Sequence, residues 1–244
     1  MNKKIITIKT ITIFLTLLFS LTACSSGNQS KPPPQKSQAS SYNARLGAEY
    51  TRKGRLNLAN EKLLKALEQN PNSADANHYY ALLQQKLGLS QKADIYFRKA
   101  LAITPKNPDL LNNYGSYLCQ NGQYRTATQH FMAAITDPLY TTPEFAYTNA
   151  GICIRKSGDL TTAEQYFRKS LALKPTFASA LYQMAKVKYE QGDYSRAQAF
   201  LQRYHERNPE VSESLSLCVQ INRRLGDLNA AGQCRSKLAG RFQS

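Results

Sequence analysis

Five cysteines carry most of the reactive chemistry open to this chain. Cys24 stands alone near the start, and Cys119, Cys153, Cys218 and Cys234 are spread over the remainder. Thiols in an exported chain can pair as disulfides, and these four admit three pairings, with four free buried thiols as the alternative. No Cys-x-x-Cys or neighbouring Cys/His spacing supports a zinc site. His78, His130 and His205 are dispersed, with His130 and His205 expected on second helices. The chain has no His-Glu-x-x-His, Gly-x-Ser-x-Gly or phosphate-loop pattern. No catalytic activity and no metal are therefore expected.

Cys24 closes the string Leu21-Thr22-Ala23-Cys24, after the uncharged, largely apolar stretch 11–21 and the basic start Lys3, Lys4 and Lys9. A positive beginning, an apolar stretch of about ten residues and small residues before the cut make an export signal. A cysteine at the cut resembles the lipobox of bacterial lipoproteins. Residues 1–23 are then removed, and Cys24 becomes an acylated N-terminus. This covalent lipid is the only cofactor expected. Stable anchoring needs two or more hydrophobic attachments, which a diacylglycerol and an N-acyl chain supply. Ser25, in place of an aspartate, favours the outer membrane, with the protein on its periplasmic face. No second apolar stretch of about 18 residues follows, so nothing else should span a bilayer. Residues 24–39 are rich in Ser, Gln and Pro, with Pro32-Pro33-Pro34 at their centre. They are expected to form a semi-rigid tether.

From residue 40 onward the chain repeats at ~34 residues, the tetratricopeptide spacing. One unit reads Ala81, Gly88, Ala93, Phe97, Ala100, Pro105; the next gives Gly115, Gly122, Ala127, Phe131, Ala134 and Asp137-Pro138. Gly151, Gly158, Ala163, Phe167, Ser170 and Pro175 follow, with weaker units on either side. Small residues let paired helices approach, glycine caps the first helix in the left-handed region, and proline stops the second. These residues predict an all-α, right-handed superhelical solenoid over 40–244. Its six repeats are placed at 40–73, 74–107, 108–143, 144–177, 178–211 and 212–244.

Such a solenoid buries its apolar faces between neighbours and presents its first helices as an inner surface. Recurrent places on those helices give Asp75, His78, Leu82, Gln85, Asp109, Asn112, Ser116 and Cys119. Phe145, Thr148, Ile152, Arg155, Ser179, Tyr182, Lys186 and Tyr189 continue the set. The expected peptide groove is Leu82, Asn112, Asn113, Ser116, Phe145, Asn149, Ile152, Tyr182 and Tyr189. Its mixture of apolar and amide groups suits a peptide with apolar anchors better than an acidic tail. The alternative for Leu82, Phe145 and Ile152 is packing against the adjacent helix.

The same register bears on the cysteines. Cys218 and Cys234 lie equally far to either side of Gly226, so a hairpin turning there brings them level, and a Cys218–Cys234 disulfide is expected to staple the last repeat. Cys119 and Cys153 fall on consecutive first helices, staggered by an insertion near Thr141-Thr142-Pro143; a bridge there depends on geometry that spacing leaves open. The chain carries 32 Lys+Arg against 16 Asp+Glu, a net charge of +16. Removing three signal lysines leaves about +13. Outside the cytosol this charge points to anionic envelope polymers or acidic protein surfaces rather than nucleic acid. Pairs such as Arg98-Lys99, Arg168-Lys169 and Arg223-Arg224 also fit plain solvated faces.

The middle third is more specific. Leu111-Asn112-Asn113-Tyr114-Gly115-Ser116-Tyr117-Leu118-Cys119, Gly122, Asp137-Pro138-Leu139-Tyr140, Pro143 and Asn149-Ala150-Gly151-Ile152-Cys153 occur in that order. With Leu21-Thr22-Ala23-Cys24 and six repeats, the mature chain resembles the type IV pilus biogenesis/stability lipoproteins, the pilotins of the pilus secretin. That resemblance implies an outer-membrane lipoprotein that aids targeting and multimer assembly of the secretin. It also implies a Cys119–Cys153 bond; Cys218 and Cys234 have no counterpart in the family pattern. The expected partner is the secretin or another envelope protein, bound through a peptide segment by a monomer. A periplasmic adaptor for cell-wall hydrolases or proteases is the alternative function.

Overall fold

A computed structural model describes residues 36–240 of the chain. The signal segment, Cys24 and nearly all of the tether lie outside those residues. The described part is all helical, in six antiparallel hairpins. These are α1 (Lys36–Arg52) with α2 (Leu56–Gln69), α3 (Ala74–Lys86) with α4 (Ser90–Ile103), and α5 (Pro108–Gln120) with α6 (Tyr124–Ile135). The series continues with α7 (Pro143–Lys156) and α8 (Leu160–Leu173), α9 (Ala178–Glu190) and α10 (Tyr194–His205), and α11 (Ser212–Leu225) and α12 (Leu228–Gly240). The first helix starts at Lys36 and takes in residues 36–39, the last four of the stretch assigned to the tether. None of the described helices is long and apolar enough to cross a membrane.

Local chemistry sets the boundaries. Ser73, Asn107, Asp159, Asp193 and Asp227 each accept a hydrogen bond from the backbone N–H three residues on, which satisfies an otherwise orphaned helix donor. Each hairpin turns at a glycine in the left-handed region, as at Gly122 with φ of 77°, where a side chain would be strained. Pro105 and Pro175 stand just past the ends of α4 and α8.

The core is built from the same recurrent positions. Ala59, Ala93, Ala127, Ala163 and Ala197 are fully buried, and so are Leu63, Phe97, Phe131 and Phe167. Gly115 and Gly151 exist for these rings: a Cβ at Gly151 would stand 2.5 Å from Phe167 Cε1, and one at Gly115 2.8 Å from Phe131 Cε1. The insertion expected near Thr141 lengthens the loop before α7. There Tyr140 turns inward with Leu111, Ala134 and Ala146 and closes the joint between the third and fourth hairpins.

Candidate functional site

The face made by the first helices of the hairpins is crossed by side-chain rungs, each joining one helix to the next. Asn113 Nδ2 donates to His78 Nε2 (3.0 Å), and Asn149 Nδ2 donates to Asn112 Oδ1 (3.0 Å). Near the other end of these helices, Lys86 Nζ donates to the Thr51 carbonyl (2.9 Å) and Gln85 Nε2 to Gln120 Oε1 (2.7 Å). Arg155 Nη1 donates to Glu190 Oε1 (2.6 Å), and Arg224 reaches the Tyr189 side chain. Apart from the Asn112 rung, the hydrogen bonds with His78, Lys86, Gln85 and Arg155 join residues 35 apart. The Asn112 rung spans 37, because it crosses the insertion.

Between α5 and α7 the structure pairs Cys119 with Cys153, Cα atoms 5.6 Å apart. This pair occupies the joint that a hydrogen-bonded rung holds between α3 and α5 and between α7 and α9. Cys218 is paired with Cys234 within the last hairpin, Cα atoms 6.1 Å apart.

One place between α7 and α9 lacks a rung. Thr148 donates to Ser170 Oγ (2.8 Å), and Ser170 donates to the Glu144 carbonyl (3.0 Å). Thr148 therefore offers no rung to α9, and Gln183 Oε1 is buried without a hydrogen-bond partner. The Arg155–Glu190 rung still joins α7 to α9, and α9 is also tied to α8, where Lys188 Nζ (2.7 Å), Arg168 (2.6 Å) and Gln191 (3.0 Å) all meet the Glu164 carboxylate. Burial pushes the Glu164 carboxyl upward, but the hydrogen bonds from Lys188, Arg168 and Gln191 outweigh it and hold the pKa at about 2.

The residues expected to line a peptide groove divide into two groups. Asn112, Asn113 and Asn149 are committed to rungs, and Ser116 Oγ donates to the Asn112 carbonyl. Leu82 and Ile152 are partly buried against neighbouring cores. Phe145, by contrast, is 43% exposed and meets the Phe177 ring edge-on at 4.7 Å. Tyr182 packs on Tyr204 (5.7 Å) and Tyr189 on Tyr194 (5.5 Å), each with part of its surface open. The open, apolar part of the face therefore lies toward its C-terminal half. Sequence reasoning missed the rungs formed by His78, Gln85 and Arg155, whose signal is pairs of polar residues one repeat and one residue apart.

Stacked hairpins of this length, each capped by glycine and joined through recurrent small and aromatic residues, define a tetratricopeptide-repeat solenoid, a class that binds protein partners. Family models described as "Tetratricopeptide repeat" match residues 62–94, 96–129 and 155–221. The chain is 31% identical over 228 residues to the type IV pilus assembly protein PilF of Pseudomonas aeruginosa, covering 92% of this chain and 90% of that one. It belongs to the PilF family of tetratricopeptide-repeat proteins. The crystal structure of PilW, described as a widely conserved type IV pilus biogenesis factor, superposes with a TM-score of 0.80 at 32% identity. That match covers 84% of this chain and 94% of PilW. The structure of Pseudomonas aeruginosa PilF gives a TM-score of 0.76 at 29% identity, over 86% and 94% of the two chains.

Proposed function

We propose that this chain is a lipid-anchored scaffold of type IV pilus biogenesis that binds the pilus secretin and aids its outer-membrane targeting and multimer assembly. The observation that carries the reading is the likeness to a protein named for type IV pilus assembly, which runs through 92% of this chain and 90% of that one. Leu21-Thr22-Ala23-Cys24 supports the anchor: acylation of Cys24 would hold the solenoid at the membrane where secretin multimers form. The solenoid contributes a rigid face, because its rungs fix each first helix against the next.

The test is a Cys24→Ala chain expressed in place of the wild type. Secretin multimers should fall, surface pili should disappear, and the purified domain should keep its helical spectrum. Unchanged multimers in that strain would remove the reading. Affinity purification of the wild-type chain from membranes should recover secretin; recovery of cell-wall hydrolases in its place would favour an adaptor role.

A further inference from the structure

We propose that the open face of α9 takes an extended peptide with an apolar side chain and, two residues along, a carboxylate. The apolar group fills the cleft beside Tyr182, and the carboxylate meets Lys186. The inference deepens the scaffold reading and rests on its protein-binding part.

The cleft has a volume of about 290 Å³ and is lined by Ala178, Ser179, Tyr182, Tyr204, Val211 and Glu213. Its walls are mostly apolar or aromatic, which suits one aromatic or branched side chain. Lys186 lies one helical turn beyond Tyr182, its Nζ 5.9 Å from the centre of the Tyr182 ring. Among the described residues it forms no ion pair. Glu190, the carboxylate whose charge reaches it, is already taken by Arg155 at 2.6 Å.

Burial, followed by the charge of Arg155, pushes the Lys186 pKa down. A half-buried ammonium beside a second cation, with no counter-ion of its own, is unfavourable in the free protein and is relieved by an incoming anion. Arg155 is held by Glu190 through Nη1, although its Nε is buried without an acceptor, so Lys186 is the cation on this face that lacks a negative partner. Glu213 lines the cleft, where Lys186 does not, and repels a carboxylate there. Polarity is thereby fixed: the acid points toward Lys186. One helical turn is about 5.4 Å and an extended chain advances about 3.3 Å per residue, which sets the spacing at two residues.

The test uses the full mature chain in detergent and fluorescein-labelled ten-residue peptides with a Phe-Ser-Asp or Phe-Ser-Asn centre in Gly/Ser flanks. Fluorescence anisotropy should show the Asp peptide binding roughly ten-fold more tightly, the scale of one charge-assisted hydrogen bond. Lys186→Gln should reduce that preference to less than about two-fold at unchanged melting temperature, and Lys186→Arg should retain it. Equal affinity for the two peptides, no measurable binding of either, or a preserved preference in Lys186→Gln would overturn the proposal. Secretin co-purification is scored separately. Secretin recovered without a peptide preference removes only the α9 assignment, and a peptide preference without secretin removes only the secretin partner.

Discussion

Asn149 donates its side-chain N–H to Asn112 Oδ1 across 3.0 Å, and the two residues stand 37 apart in the chain. Asn112 is buried and Asn149 partly so, which leaves water little access to the bond. An amide that looks like a ligand contact in the sequence therefore holds α5 to α7. Asn112→Ala should destabilise the fold by about 1–2 kcal/mol, because it leaves the Asn149 donor poorly satisfied. In a double-mutant cycle, Asn112→Ala with Asn149→Ala should cost less than the sum of the two single changes. Urea unfolding measures each term, and strict additivity would deny the pair any coupling.

Gly151 is the place where α7 meets the Phe167 ring of α8, and a Cβ there would stand 2.5 Å from the ring. The ring is fully buried and cannot retreat into solvent. Gly151→Ala should therefore destabilise by about 1–3 kcal/mol, as overpacking does, although alanine is the better helix former. Gly232 has no atom within 4 Å of its Cβ position, so Gly232→Ala in α12 should be neutral or slightly stabilising. Opposite signs in thermal melts of the two variants check the argument.

The two cysteine pairs close loops of different size. Cys119 and Cys153 are separated by 34 residues, Cys218 and Cys234 by 16. Chain-entropy bookkeeping gives each bridge roughly 3–4 kcal/mol, larger for the longer loop. Replacing both residues of a pair with serine should reproduce that order in denaturation midpoints. The consequences differ in kind. Cys119–Cys153 ties two hairpins together, so its loss should divide the solenoid's cooperative transition. Ala231 is the fully packed residue of α12, so loss of Cys218–Cys234 should free α12 alone, seen as raised amide exchange confined to residues 228–240.

The hairpins and their register were legible because each recurrent position has one steric job. Gly122, Ala127 and Phe131 can be read off any repeat, and the structure puts each to the use its size suggests. Side-chain partners were not legible. Asn113 and His78 meet because neighbouring helices are offset by one residue beyond the repeat, a detail of packing angle that periodicity does not encode. Lys186 was readable as an inner-face residue, but its missing counter-ion depends on Arg155 holding Glu190. Charge composition counts ions and cannot show which of them are already paired.

His78 provides a pH test of the rung network. Its ring is almost fully buried, and burial pushes its pKa down from 6.5 to about 4. Asn113 Nδ2 donates to His78 Nε2, so this nitrogen must be the unprotonated acceptor. The unfolded chain binds a proton on His78 near pH 6.5 and the folded chain only near pH 4. Stability from this residue is therefore complete above pH 6.5 and is lost as pH falls from 6.5 to about 4, a total of about 3 kcal/mol. Glu164 acts in a lower window: its folded pKa of about 2 lies below the ordinary glutamate value of 4.5, so its contribution persists above pH 4.5 and is lost toward pH 2. His78→Gln keeps a side-chain acceptor for Asn113 and removes the titration. Urea midpoints between pH 7 and pH 4.5 should fall more steeply for the wild type than for His78→Gln, while the two chains should run parallel below about pH 3. Equal slopes in the upper window would show that the imidazole takes up its proton at the same pH folded and unfolded, and that Asn113 must then find another acceptor.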